Sequence, residues 1–531
     1  MKEFLPDVAD IGIVRQTSQV GLLRTSRSVD SWDVGRHADV MALPLEEYAI
    51  VGDTQTAAVV GSNGSVDWLC LPRFDSDACF AGLLGTDDHG FWSIAPQGEV
   101  LRTSRRYRGE TLLLETDVET SDGAVRLVDF MPIRADNPRL IRIVEGHRGR
   151  VTMKMTMRPR FDYGKTRPWV QRDGHIVISQ AGPNAVELRS DVQLDAHSPE
   201  VNATFEVEAG ERLAFVLTWY QSWERVPDPI DPIRAENATE KWWADWSQRS
   251  TYRGPWAEAV QRSLITLKGL TYGPTGGMVA AATTSLPEFL GGVRNWDYRF
   301  CWLRDAALTL EALMGAGYLD EAVAWRDWVM RAVAGDPEDL QIMYGLGGER
   351  RLEEYELDWL PGYENSAPVR VGNAASGQLQ LDVYGELVSA IFHARQLGMH
   401  GAQEATEIAL KVAAWLRDNW RQPDDGIWEI RGPRQQFVHS KVMVWVAVDR
   451  LVTMAESVGM DVPGLKILRD EIHDEVCTKG YDPVRNTFVQ YYGSEQLDAS
   501  LLLIPQVAFL PPDDPRVIGT VEAVQRELMQ D

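Results

Sequence analysis

The stretch RNWDYRFCWLRDAALTLEAL, residues 294–313, sets Trp296, Tyr298 and Trp302 among two acids, Asp297 and Asp305, and three arginines, Arg294, Arg299 and Arg304. Flat indole and phenol faces can stack on a sugar ring, and an Arg–Asp pair offers fixed donors and acceptors for several hydroxyls. Such a cluster has the chemistry of a carbohydrate subsite, although the same residues could begin a helix with a partly buried ion pair and aromatic packing. A second stretch, DDGIWEIRG at 424–432, adds a candidate acid. Asp425-Gly426 is a turn signal, after which Trp428 sets an indole beside Glu429. A carboxyl against an apolar ring loses solvation, so its charged form is disfavoured and it can keep a proton near neutral pH as a general acid. By itself that Glu reads more simply as a surface acid in a loop.

Two kinds of element must position these groups. From Pro44 to about residue 225, short period-two strands alternate with Gly, Asn and Asp turns, and Asn63-Gly64 between two apolar runs is a strong hairpin signal. This pattern predicts an antiparallel β-sandwich, with Arg105, Arg106 and Arg108 on solvated edges. Segment 234–250 reads as a linker helix carrying Trp242, Trp243 and Trp246 near one face. Helical periodicity then recurs over 256–272, 302–316, 319–334, 376–398, 402–420, 436–457, 463–477, 497–505 and 515–529. Long irregular segments separate alternate helices, and both chemical stretches start or lie there, where functional residues usually sit over a rigid scaffold. The fold class is multidomain, β plus all-α: an antiparallel β-sandwich followed by an (α/α)6 toroid. About nine helices are counted from Trp256, where a closed six-hairpin ring needs about twelve, so the toroid is expected to be incomplete at its C-terminal end. Unburied apolar faces would follow, which leaves an oligomer open. The expected division is a loosely ordered leader over 1–42, a β-sandwich domain over 43–233, a linker helix over 234–255 and a catalytic toroid over 256–531.

Composition narrows the partners. With 53 Lys and Arg against 78 Asp and Glu, the net charge is −25, which repels phosphate backbones and anionic lipid but is indifferent to a neutral substrate. Neither nucleic acid nor membrane is an expected partner; a small carbohydrate is. The 19 Trp outnumber both the 15 Tyr and the 14 Phe, which fits sugar stacking, although large cores explain much of the excess. Cys70, Cys79, Cys301 and Cys477 share no CxxC spacing and read as small buried hydrophobes. The N-terminus has no basic start leading into an apolar run, and no segment approaches a membrane span, so a cytoplasmic location is expected.

Taken with YAIVGDTQTAAVVGSNGSVDWLCLPRFDSDACFAGLLG, GNAASGQLQLDVYGEL and YGSEQLDASLLLIP, the two chemical stretches resemble glycoside hydrolase family 15 over about residues 43–531. That family includes glucoamylases, glucodextranases and the trehalases of actinobacteria and archaea. The resemblance implies that Glu429 is the general acid, that Arg304 and Asp305 hold the hydroxyls of one glucose, and that Tyr298 and Trp302, with Trp296, wall its pocket. It implies inversion of the anomeric centre by two carboxyls, one protonating the glycosidic oxygen while the other activates water, without a metal or organic cofactor. Ile430 stands where family glucoamylases commonly carry a second Glu, which favours a disaccharide, and Arg431 is expected to contact the second sugar instead. The family's general base lies in a Glu-containing loop near the end of the toroid, and the sequence is expected to stop at Asp531 before that block. The expected activity is therefore glucose release by an inverting glycosidase of the trehalase type. A glucoamylase or glucodextranase, and a sugar-binding protein without catalysis, are the alternatives.

Other residues have plainer readings. His439 and Lys441 start a strongly apolar helix and read as structural, and Glu495 reads as a cap or hydroxyl ligand rather than the base. Asp382 could face the pocket or make an internal hydrogen bond. GLGGER at 345–350 lacks the lysine of a phosphate loop, and the acids Glu353, Glu354, Glu356 and Asp358 read as a solvated loop at the pocket rim.

Overall fold

The computed structural model describes residues 42–197, 200–396, 398 and 402–529, so the leader read over 1–42 falls outside the described residues except for Ala42. Strands between Tyr48 and Gln221 all pair antiparallel. At the foreseen hairpin, Ala57–Gly61 turns into Ser65–Cys70 through Asn63-Gly64. Gly64 has φ +76°, and a Cβ there would stand 2.3 Å from the Ile94 carbonyl oxygen, so glycine is required. The long strand Arg139–Arg158 belongs to two layers. Its first half pairs with Gly123–Phe130 and Arg212–Gln221, and its second half with Phe91–Pro96 and Glu200–Glu208. Val60, Ile94 and Met155 from one layer meet Leu127, Val144 and Leu217 from the other in a common core, which makes the domain a sandwich.

Of the three arginines expected on solvated edges, Arg106 is exposed while Arg105 and Arg108 are partly covered. Arg105 donates to the carbonyls of Glu47 and Val60, Arg106 pairs with Asp117 at 3.0 Å, and Arg108 reaches Glu115 and Glu236, each at 2.7 Å. The strand alternation that placed Arg108 outward says nothing of the helix that later reaches it through Glu236.

That helix is α1, Pro232–Ser247, whose first turn is capped by the Asp231 side chain accepting from the Ile233 and Arg234 amides. The helices that follow are α2 Ala257–Gly269, α3 Leu303–Gly315, α4 Leu319–Ala332, α5 Asp382–Gln396, α6 Ala402–Asn419, α7 Val438–Ser457, α8 Pro463–Lys479, α9 Leu503–Gln506 and α10 Pro515–Glu527. Helices α5 and α7 are buried nearly all round at their N-terminal halves and pack on each other, while α6 and α8 lie against them on the outside. This is the alternation of inner and outer helices that the periodicity implied. An apolar cluster containing Phe130, Ile141, Trp243, Trp302 and Val444 joins sheet to helices.

Two helices differ from their expected spans. Helix α5 begins at Asp382 rather than near 376, because the amides of Leu379 and Leu381 are taken by the carboxylates of Asp425 and Asp424 at 2.8 and 2.9 Å. Those side-chain acceptors hold the backbone extended where the apolar period alone suggested helix. The 497–505 span divides into a 3-10 turn, Ala499–Leu502, and the short α9. Among the described residues no helix is long and apolar enough to cross a membrane.

Candidate active site

The bridge of Cys301–Trp302 to Met343–Tyr344 stops the chain from coiling until Leu303, so Arg304 and Asp305 fall in the first turn of α3. Trp302 is buried and faces the loop between α6 and α7. In that loop Gly426 has φ +70° and Glu429 itself has φ +52°, a left-handed conformation that is uncommon outside glycine and asparagine and is held only where the surroundings enforce it. This backbone turns the Glu429 carboxyl inward, where the Trp302 Nε1–H donates to its Oε1 at 2.5 Å. The Glu429 side chain is 17% exposed.

Arg304 organises the acids. Its guanidinium lies 3.3 Å from Asp305, 3.6 Å from Glu429 and 3.7 Å from Asp382, and it donates to the Gln380 side-chain oxygen at 3.1 Å. Burial raises the Glu429 pKa above the usual carboxylate value; Arg304 and the Trp302 hydrogen bond oppose the rise, and Asp305 and Asp382 add to it. The geometry thus supplies an inward carboxyl with a raised pKa, beside a largely buried Arg304 and a half-exposed Asp305. Tyr298 stands beside Trp302, with ring centroids 5.5 Å apart, completing an aromatic wall.

Of the residues singled out in sequence, Glu429, Arg304, Asp305, Trp302 and Tyr298 come together, and three others do something else. The indole meeting the Glu429 carboxyl belongs to Trp302, not to the adjacent Trp428. Trp428 is 50% exposed, and its N–H points to Asp498 at 2.9 Å. Neighbours along a chain in this turn point in opposite directions, so sequence adjacency misassigned the desolvating ring. Arg431, expected toward a second sugar, makes two bonds to Glu354 at 2.9 and 2.6 Å and lies 3.8 Å over the Trp296 ring. Arg370 also lies over Trp296, at 4.6 Å, and the Trp296 N–H donates to Glu288, so this ring's face is shared with guanidinium groups. Glu354 is accordingly a bridge between loops rather than a solvated rim acid.

Asp297 and Arg299 are buried and structural. Arg299 donates to Asp297 at 2.7 Å, to the Tyr163 hydroxyl at 2.9 Å and to the Ser76 carbonyl at 2.9 Å, fastening the first chemical stretch to the β domain. Lys441 is buried with its ammonium on the carbonyls of Trp420 and Gln422, each at 2.6 Å, and thereby shapes the start of the Glu429 loop. Glu495 is exposed, and its main-chain carbonyl is held by Arg485. Gln380 and Glu386 were not singled out in sequence; the signal for Glu386 was a second acid four residues after Asp382 on an otherwise apolar helix face.

Comparison with known proteins bears on this arrangement. The model of the glycosyl hydrolases family 15 matches residues 254–531, and that of the trehalase-like N-terminal domain matches residues 29–218. A trehalase of Thermoplasma volcanium is 35% identical, over 92% of this chain and 79% of that protein. A trehalase of Thermoplasma acidophilum is 37% identical, over 89% and 82%. A trehalase of Mycobacterium tuberculosis is 36% identical, over 92% and 76%. Among solved structures, a bacterial glucoamylase complexed with acarbose superposes with TM-score 0.65 over 94% of this chain and 81% of its own, at 11% identity, a likeness of fold. Sheet, helical layers and sequence agree, and the chain belongs to glycosyl hydrolases family 15.

Proposed function

We propose that the chain is an α,α-trehalase, hydrolysing trehalose to two glucose molecules with inversion at the cleaved centre. The observation that carries the reading is the inward Glu429 carboxyl, whose pKa burial raises, within reach of the Arg304–Asp305 pair. In this reading Glu429 delivers its proton to the bridging oxygen as the bond to the anomeric carbon breaks. Arg304 and Asp305 hold hydroxyls of the glucose being released, and Trp302 and Tyr298 wall it. A carboxylate base across the sugar deprotonates the attacking water; in inverting enzymes it stands about 6.5–9.5 Å from the acid. The base is not assigned to any described residue. Trehalose is favoured over longer α-glucans by the trehalase relatives, whose similarity runs through both the β-sandwich and the helices. Ile430, where family glucoamylases commonly carry a second Glu, points the same way.

The test is proton NMR of trehalose, maltose and isomaltose with the purified protein and its Glu429→Gln variant. The expected result is β- and α-glucose appearing together in equal amounts from trehalose, faster than glucose from the other two sugars, with the variant slower by about 100-fold to 10,000-fold. Faster cleavage of maltose would replace the trehalase reading with a glucoamylase. Sugar binding without hydrolysis, unchanged in the variant, would make the protein a binding module.

A further inference from the structure

Asp382 is fully buried in the first turn of α5, yet neither of its carboxylate oxygens has a hydrogen-bond partner among the described residues. A buried carboxylate without hydrogen bonds is costly and persists where a neighbouring charge or a function holds it. The position is forced by packing. Gly385 lets α5 touch α7, since a Cβ there would come 2.2 Å from the Met443 carbonyl oxygen. This contact seats Asp382, about one turn earlier on α5, under Arg304, whose nitrogen lies 3.7 Å away.

Resting on the reading of Glu429 as the acid, we propose that Asp382 is a positioning residue for the reaction: as a second carboxylate beside Arg304, with Asp305, it offsets guanidinium charge that would otherwise favour loss of the proton from Glu429. Arg304 alone, 3.6 Å from Glu429, would stabilise the carboxylate form and so disarm the acid. With Asp305 at 3.3 Å and Asp382 at 3.7 Å, one guanidinium faces two carboxylates before Glu429 is counted. The third carboxyl, Glu429, is then less inclined to give up its proton.

The surrounding groups leave this balance in place. On α5, burial pushes Glu386 up to about 8, with Asp382 and Glu311 adding to the rise, so it brings no charge at neutral pH. On α7, His439 is buried with neither ring nitrogen hydrogen-bonded among the described residues, and burial lowers its pKa against the pull of Asp382. It is neutral as well. Before the Glu429 loop, Asp424 is occupied by the Leu381 amide, and burial raises it. On the hairpin side, Arg294 is neutralised by Glu288, and the Tyr298 hydroxyl is uncharged because burial raises its pKa to about 12.

The Trp302 indole N–H, bonded to Glu429, gives a readout that needs no substrate. In protein labelled with 15N-tryptophan, its resonance is followed against pH, and the Glu429→Gln variant identifies the titration as that of Glu429. Asp382→Asn keeps the shape and removes the charge. Its midpoint is expected to fall by about one pH unit, the interaction of unit charges several ångström apart in a partly buried site. The alkaline limb of kcat/KM for trehalose should fall equally. An unchanged or raised midpoint overturns the proposal, even if activity is lost, because a merely structural role would reduce activity without moving the titration. Should the Asn protein not fold, Asp382→Ser removes the same charge with a smaller side chain and is read in the same way. A native protein inactive on trehalose would sink the proposed function while the indole titration still decided the role of Asp382.

Discussion

Replacing Trp302 by Phe should move the Glu429 titration in the opposite direction from Asp382→Asn. The indole N–H is 2.5 Å from Oε1 of Glu429, and a donor favours the charged carboxylate over the neutral acid. A hydrogen bond to a charged group contributes about 1.5–3 kcal/mol, part of which survives when the acceptor is neutral. Losing a difference of about 1.4 kcal/mol raises the midpoint by about one pH unit. The assay is the initial rate of glucose release from trehalose across the alkaline limb, with circular dichroism to establish that the variant is folded. The expected profile has an alkaline limb shifted upward and a lower plateau, since Trp302 is proposed also to wall the sugar. A limb that stays in place or moves downward in a folded variant would refute the assignment of this bond to the acid. Combining Trp302→Phe with Asp382→Asn should return the limb toward its native position, because the two changes act on the same proton with opposite signs.

Two further outcomes test the frame around the site. Arg299→Met strands Asp297 as a buried carboxylate and should cost about 3–5 kcal/mol in urea unfolding, whereas Asp297→Asn/Arg299→Met should recover part of the loss; a single variant costing under about 1 kcal/mol would contradict the fastening role. Glu386, pushed up to about 8 by burial from an ordinary value of 4.5, binds its proton more tightly folded than unfolded. Its contribution to stability is full below the unfolded pKa and is lost as pH rises toward 8. Glu386→Gln should therefore gain stability relative to the native protein across that window, by at most about 1.4 kcal/mol per pH unit, and a gain independent of pH would refute the shift.

The local chemistry of the chain was legible in its residues. Asn63-Gly64 specified a hairpin because a tight two-strand turn needs positive φ, and the apolar periods of α3 to α8 marked helices because one face of each had to be buried. The acid stretch and the Arg304-Asp305 pair were visible because their residue types are unusual together. The start of α5 was not legible, since it is decided by carboxylates more than forty residues downstream that capture the amides of Leu379 and Leu381.

Sequence by itself therefore determined most of the elements and the family, and singled out the candidate reactive groups, which depend on near neighbours and on residue type. Tertiary structure alone decided which groups meet. It chose Trp302, 127 residues away, over the adjacent Trp428 as the indole on Glu429, set Asp382 beneath Arg304, and turned Arg431 onto Glu354 and Trp296. The physical reason is that desolvation and charge balance are sums over everything packed around a group, and packing joins residues that no local period relates.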